Sequence, residues 1–164
     1  MLEDVLPENP TMIFAGTAAG NRSAQTGAYY AHKGNRFWKT LADVGFTSRL
    51  FAPAEFRLLA SLGLGLTDLC QTQSGMDKVI DRWDVGGFEQ KILAAGPKAI
   101  AFTSKKAASI WSKASYGRSL QFGGFEHGRR GFPLVFVLPS TSGANGHWSI
   151  EPWQALHRWW IANR

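Results

Sequence analysis

Short apolar runs recur along the chain, and segments with helical spacing of apolar residues lie between them. The runs cover residues 12–15, 66–69, 99–102 and 134–138. Continuous apolar character in such short runs is typical of strands that are covered on both faces. We therefore predict four buried strands.

The intervening segments predict helices, which cover residues 35–44, 53–62, 88–95, 104–112 and 152–162. Pro53 and Gly63 are a favourable start and stop for the second helix. The last helix carries a tryptophan stripe that we expect to pack against the sheet. Segments 17–33 and 116–131 fit no element. The pattern predicts one α/β domain over residues 1–164, with a central four-stranded parallel sheet flanked by helices.

Composition narrows the class of protein. The 164 residues are 45% apolar and 18% charged, which indicates a folded globular chain with one core. A lone cysteine, Cys70, excludes an internal disulfide and favours a reducing compartment. No leader-like start and no membrane-length apolar run is visible, so we expect a cytoplasmic protein. The net charge of +6 favours a polyanionic partner such as nucleic acid.

Ligands of open parallel sheets bind beyond the carboxyl ends of the strands. The loops after Ala15, Leu69, Phe102 and Leu138 are therefore candidate binding loops. The first, residues 16–24, is rich in small residues, which let the backbone approach a ligand closely. It lacks the Lys-Ser/Thr ending of a triphosphate loop and the full dinucleotide fingerprint.

Two further stretches are more specific. Residues 29–38 read Tyr-Tyr-Ala-His-Lys-Gly-Asn-Arg-Phe-Trp, and residues 139–145 read Pro-Ser-Thr-Ser-Gly-Ala-Asn. Here the chain resembles the uracil-DNA glycosylase superfamily. It is similar to the mismatch-specific uracil and thymine branch, with its Gly-x-Asn-Pro-Gly turn, Arg-Ser pair and Gly-Asn-Arg-Phe-Trp. It is also similar to the hypoxanthine branch, with its Tyr-Tyr-x-His stretch and Pro-Ser-Thr-Ser loop.

The resemblance implies a uracil-DNA glycosylase-like fold. It also implies that the protein removes a damaged base from DNA, with uracil as the expected base, and that it needs neither a metal nor a cofactor. Tyr30 matches the aromatic residue that stacks on the extruded base. The backbone of Ala18, Ala19 and Gly20 would line the base pocket. We expect the protein to act as a monomer.

The resemblance also implies a set of DNA contacts. Arg22 and Ser23 match the Arg-Ser pair of the family pattern. Ser140 and Ser142 would hold the backbone beside the lesion, although serines in turns are often only local caps. Gly143 and Ala144 would lie where the family inserts a wedge into the duplex, and His147, just after this loop, is a further candidate DNA contact.

Two positions depart from the family pattern. Ala18 replaces the asparagine that positions the attacking water, and Ala144 replaces a bulky leucine wedge. Extruding a base costs least when it is mispaired or single-stranded. We therefore expect a preference for uracil in single-stranded or mispaired DNA.

Three residues are candidates to replace the missing asparagine. Asp68, at the end of the second strand, could accept the uracil N3–H or polarise a water, or it could merely cap a loop. Asn35 matches the catalytic asparagine of the hypoxanthine branch but also looks like a helix N-cap. His147 could donate to uracil O2, whereas we expect His32 to orient the first loop through a backbone contact.

Several basic residues could bind phosphates from the carboxyl-end side of the sheet, although a charge run is usually a solvated face. They are Lys105, Lys106, Lys113, Arg118, Arg129 and Arg130. The alternatives to uracil excision are removal of hypoxanthine or another deaminated base, and non-catalytic binding of DNA or abasic sites.

Overall fold

A computed structural model describes residues 2–117, 120–123, 126–127 and 131–164 of the chain. Five strands form one sheet in the order β2-β1-β3-β5-β4. They are β1 (Met12–Gly16), β2 (Leu64–Asp68), β3 (Ala99–Phe102), β4 (Glu126–His127) and β5 (Leu134–Val137). The four predicted strands are mutually parallel, as expected, and the two-residue β4 adds an antiparallel edge beside β5.

The helices follow the predicted order. They are α1 (Asn21–Thr26), α2 (Phe37–Val44), α3 (Val85–Ala95), α4 (Lys105–Ser115) and α5 (Glu151–Asn163). Two 3₁₀ helices cover Pro53–Leu62 and Asp77–Val79. Residues 53–62 were predicted as a helix, and the structure shows that this helix is of the tighter 3₁₀ type. Helix α1 was not predicted, because its six residues carry no apolar periodicity.

Alternate residues of each strand enter two separate cores. Met12 and Phe14 face one core together with helix α5, whereas Ile13 and Ala15 face the other together with α3 and α4. The tryptophan stripe packs as predicted, since Trp153 and Trp160 are buried in the first core. Cover on both faces explains why the strands read as apolar runs.

The strand order places a topological switch between β1 and β3. The chain leaves β1 toward β2 on one side, and β3 lies on the other side of β1. Connections that diverge in this way leave a crevice at the carboxyl ends of the central strands, where ligands bind. The fold therefore locates a site beyond Gly16 and Phe102.

The chain before β1 runs beside β2. Val5 and Leu66 exchange two backbone hydrogen bonds of 2.8 Å. A side chain at Gly65 would come within 2.7 Å of the Val5 carbonyl, so glycine permits this close approach. No helix in the described ranges is long and apolar enough to cross a membrane.

Candidate active-site cleft

A cleft of about 690 Å³ opens at the carboxyl ends of β1, β2 and β3. Its walls come from the first loop, the turn around Tyr30, residues 75–78 and the serine loop at 140–144. The tyrosine turn and the serine loop meet directly. A Cβ on Gly143 would lie 2.8 Å from the Gly34 carbonyl oxygen. The Arg36 amide donates to the Thr141 carbonyl at 2.8 Å.

Three polar side chains converge on the floor of the cleft, above Gly16. A Cβ built on Gly16 would lie 2.6 Å from Asp68 Oδ1, 3.2 Å from the Tyr30 hydroxyl and 3.4 Å from Thr103 Oγ1. The absence of a side chain at Gly16 thus leaves the space in which these groups meet. The grouping arises because β1, β2 and β3 end side by side, with Gly16 in register with Asp68.

Thr103 was not predicted as a site residue. Its one signal in the sequence is its position, directly after the third strand in one of the four candidate loops. Its hydroxyl donates to the Ala15 carbonyl at 3.3 Å and lies 2.9 Å from the Tyr30 hydroxyl. A hydroxyl has one proton to donate. The Tyr30 hydroxyl is therefore the donor in the bond that the two side chains share.

Tyr30 is held rigidly in the cleft wall. Its backbone has a φ of 51°, which is uncommon for a residue with a side chain. Its ring stacks on Phe37 with centroids 3.9 Å apart and an interplanar angle of 17°. Burial, and then the charge of Asp68, raise the pKa of the phenol, so the side chain stays neutral. Because Phe37 covers one face of the ring, a ligand has only the other face to stack on.

Asp68 is the last residue of β2 and only 5% exposed. Burial raises its pKa from 3.8 to about 7; the charge of Lys91 opposes the rise, and those of Asp4 and Asp77 add to it. Both protonation states are therefore populated near neutral pH. A perturbed carboxyl in a cleft is a candidate functional group.

Asn35 lines the cleft and is half-buried. Its carboxamide oxygen accepts the Phe37 amide at 2.9 Å, at the start of α2. The local hydrogen bond expected of a helix-capping residue is thus present, although the cap position itself belongs to Arg36. The side chain also faces the cleft, so the structure leaves both interpretations of Asn35 open.

The first loop contributes Ala18, Ala19 and Gly20 to the cleft, and the exposed Arg22 follows on the rim. Ser23 also lines the cleft, but it is only 6% exposed. Its hydroxyl accepts the Ala31 amide at 3.0 Å and so holds the tyrosine turn.

His32 makes the local contact that was expected of it, because its Nδ1 accepts the Gly34 amide at 3.0 Å. His147 is exposed and is not part of the cleft lining. Its backbone amide donates to Asn145 Oδ1 at 3.0 Å. The structure thus does not bring His147 together with the residues that line the cleft.

Ser140, Ser142, Gly143 and Ala144 all line the cleft. The Ser140 hydroxyl accepts the Ser142 amide, and the Ser142 hydroxyl accepts the Ala144 amide, both at 3.2 Å. The serines thus cap their own turn, which was one of the two interpretations of them. Each hydroxyl proton remains a donor that could reach a phosphate.

The basic residues separate into groups. Lys105 and Lys106 are exposed at the start of α4, next to Ser104, which lines the cleft. Lys113 lies in the last turn of α4, roughly 12 Å along the axis at 1.5 Å per residue. Lys113 therefore lies away from the carboxyl-end side of the sheet on which it was predicted. Arg118, Arg129 and Arg130 lie outside the described residues.

Sequence reasoning also missed the segment at residues 75–78, which forms part of the rim. It is anchored to the first loop: the Gly75 amide donates to the Ala19 carbonyl at 2.9 Å, and Thr17 Oγ1 donates to Asp77 at 2.7 Å. Met76 between them is 63% exposed. The segment follows a candidate loop, but no periodicity identifies it.

Within the described ranges, no group of three or more His, Cys, Asp or Glu side chains is placed to hold a metal ion.

Comparison with known proteins agrees with this geometry. The family model of the uracil DNA glycosylase superfamily matches residues 3–161. Among solved structures, the chain is similar to the solution NMR structure of a Methanosarcina acetivorans protein that carries a provisional assignment as a uracil DNA glycosylase. The two are 22% identical, the match covers 98% of this chain and 96% of the other, and the TM-score is 0.68. The structural match supports the fold, and the family match over nearly the whole chain shows that this protein belongs to the uracil DNA glycosylase superfamily.

Proposed function

We propose that this protein is a monofunctional DNA glycosylase that excises uracil by hydrolysing the N-glycosidic bond, leaving an abasic site. Membership of the superfamily supports a DNA glycosylase. The proposal of uracil excision depends on one observation. Asp68, Tyr30 and Thr103 converge above Gly16 at the bottom of a cleft that is open to solvent. Polar groups of this kind can bind the edge of a base that has entered the cleft.

A base reaches such a floor only after it has left the stack. The free face of Tyr30 is placed to stack on it, and a contact of this kind contributes roughly 1–3 kcal/mol. The ionised form of Asp68 accepts the N3–H of uracil, or polarises a water near the sugar and stabilises its developing positive charge. Thr103 holds the Tyr30 hydroxyl in the floor, so that the ring keeps its orientation.

Water activation does not involve the side chain of residue 18, because an alanine side chain is a methyl group without a polar atom. Asp68 is our first choice for this role, and Asn35 is the second, since its amide also lines the cleft. Ala144 adds only a methyl group at the position of the family wedge. We therefore propose that uracil in single-stranded or mispaired DNA is preferred over uracil in a sound pair.

An end-labelled oligonucleotide with one uracil tests the proposal. Incubation followed by alkali should give a break at the uracil, fastest for single-stranded DNA, slower for a U:G pair and slowest for U:A. Strand cleavage without alkali would contradict the monofunctional mechanism, with Lys78 in the cleft as the amine to examine. Equal rates on all three substrates would contradict the predicted preference.

A pair of glycine variants links the activity to the cleft. Gly16→Ala places a methyl group 2.6 Å from Asp68 Oδ1 and should abolish excision while the protein remains folded. Gly86→Ala is the matched control, because a Cβ on this α3 glycine meets nothing within 4 Å. Normal excision by Gly16→Ala would show that the chemistry does not occur at this floor.

The alternatives are tested in the same experiment. A cleft of about 690 Å³ has room for a purine as well as a pyrimidine. A second oligonucleotide with hypoxanthine in place of uracil therefore separates the two lesions. Tight binding of uracil-containing or abasic DNA, without any alkali-sensitive product, would favour a non-catalytic binding protein instead.

A further inference from the structure

A polar cluster surrounds the end of β2 next to Asp68, and its two charged residues, Asp4 and Lys91, lie outside the cleft lining. Asp4 Oδ1 accepts hydrogen bonds from Thr67 Oγ1 at 2.6 Å and from Gln71 Nε2 at 2.7 Å. Asp4 Oδ2 lies 3.2 Å from Lys91 Nζ. The side chains of Lys91 and Asp4 are only 23% and 25% exposed. Neither residue lines the cleft, and nothing in the sequence singled them out.

The cluster joins three separate parts of the chain around the end of β2. Asp4 lies in the segment that runs beside β2, and Lys91 lies on α3. Thr67 immediately precedes Asp68 in β2. Lys91 Nζ also donates to the main-chain carbonyl of Asp68 itself, at 3.3 Å. Lys91 thus holds the backbone of Asp68, and Asp4 holds the side chains of Thr67 and Gln71 on either side of it.

In this ion pair, Asp4 and Lys91 compensate each other's charge. Removing one member of a partly buried pair leaves the other charge without compensation, which is costly, whereas the pair itself is nearly balanced. An apolar contact would hold the end of β2 without the need to keep two charges paired. The presence of opposite charges next to a buried carboxyl therefore points to a role in the site.

We propose that Asp4 and Lys91 are positioning residues, which together hold the end of β2 so that the Asp68 carboxyl faces the cleft above Gly16. The proposal rests on the proposed function, in which Asp68 binds the base or activates water. In this proposal, the segment before β1 contributes to the site through Asp4, and helix α3 contributes through Lys91.

The charges around Asp68 make the proposal measurable. Lys91 on α3 lowers the pKa of Asp68, whereas Asp4 beside β2 and Asp77 on the 3₁₀ helix raise it. The neighbouring phenols of Tyr29 and Tyr30 carry no charge, because burial and nearby carboxylates raise their pKa values. Loss of Lys91 and loss of Asp4 should therefore move the titration of Asp68 in opposite directions.

The test is a carboxyl-carbon NMR titration of Asp68 in the free protein. Lys91→Met, which keeps the apolar stem, should raise the titration midpoint by about one pH unit, and Asp4→Asn should lower it. In the double variant, with Lys91→Met and Asp4→Asn together, the Asp68 midpoint should return toward the wild-type value. Lys91→Arg keeps the positive charge and should leave the midpoint unchanged. Lys39→Met removes a surface ion pair with Asp43 on α2, where neither residue lines the cleft, and serves as the control, with no change of the Asp68 midpoint expected.

Excision rates across pH provide the second measurement. The rate profiles of Lys91→Met and Asp4→Asn should shift in the same directions as the titrations, with KM changing less than kcat. Unchanged Asp68 midpoints in both folded single variants would overturn the proposal. If Lys91→Met does not fold, Asp4→Asn and the neutral double variant still test it. Shifted midpoints in a protein that excises no uracil would overturn the proposed function while supporting the role of the pair.

Discussion

At the scale of single residues, the buried Asp68 carboxyl suits the proposed chemistry, but its burial lowers the stability of the folded protein when it is ionised. Asp68 is nearly fully buried, and its ionised form is disfavoured there, which raises its pKa from 3.8 to about 7. The folded protein therefore binds a proton that the unfolded chain releases between these two values. The stability associated with neutral Asp68 is fully present below about pH 3.8 and is lost as pH rises through about 7.

Replacement of Asp68 should separate the two effects. Asp68→Asn removes the ionisable group with little change of shape, so excision should fall by about two to three powers of ten. The same variant should be more stable than the wild type at pH 8, by on the order of 4 kcal/mol, and much less so at pH 4. Urea unfolding at both pH values measures this difference. A stability gain that is the same at both pH values would show that folding does not raise the pKa of Asp68. Near-normal excision would shift the catalytic role to Asn35.

At the scale of elements, the cleft is made by loops that follow parallel strands. The strands end side by side, so residues distant in sequence meet at one edge of the sheet. The rim gains the segment at 75–78 because it is pinned to the first loop through Gly75 and Asp77. Several large apolar side chains are exposed in the described ranges, and Met76 is the one of these that lines the cleft.

On the proposed function, we expect Met76 to contact unstacked bases beside the lesion, a contact that Ala144 is too small to make. Met76→Ala should slow excision from duplex DNA by about tenfold or more, and excision from single-stranded DNA much less, because only the duplex must be opened. Leu58→Ala, an equally apolar exposed residue away from the cleft, is the control. Equal slowing on both substrates would indicate a general role in the cleft wall instead.

At the scale of the whole molecule, the charge of +6 favours association with DNA through phosphate contacts. Exposed Lys105 and Lys106 at the start of α4 lie beside the cleft, whereas Lys113 lies at the other end of the same helix. One helix thus carries lysines both near the site and far from it. This difference in position allows the local and the global effects of charge to be distinguished.

The salt dependence of DNA binding should report the lysines near the cleft. Replacing Lys105 and Lys106 by Gln should reduce the slope of log affinity against log salt by about 1.4 for single-stranded DNA, or about 0.7 per lost phosphate contact. Uracil-free oligonucleotides and titration by fluorescence anisotropy make the measurement independent of catalysis. Lys39→Gln with Lys113→Gln changes the net charge equally and should leave the slope nearly unaltered. Identical slopes for the two double variants would mean that only net charge matters.

The sequence by itself determined the four parallel strands, the helices α2 to α5 and the family, because these depend on local apolar periodicity and on residues contiguous in the chain. The sequence also predicted Tyr30, Asp68 and the serine loop as site residues, and the structure places all of them in the cleft lining. Only the tertiary structure decided that Thr103 joins them above Gly16, that Ser23 is buried and that Met76 lies on the rim. It also revealed the Asp4–Lys91 pair next to the end of β2. These contacts join residues up to 87 positions apart, and their proximity follows from strand order and packing, which no local pattern in the chain encodes.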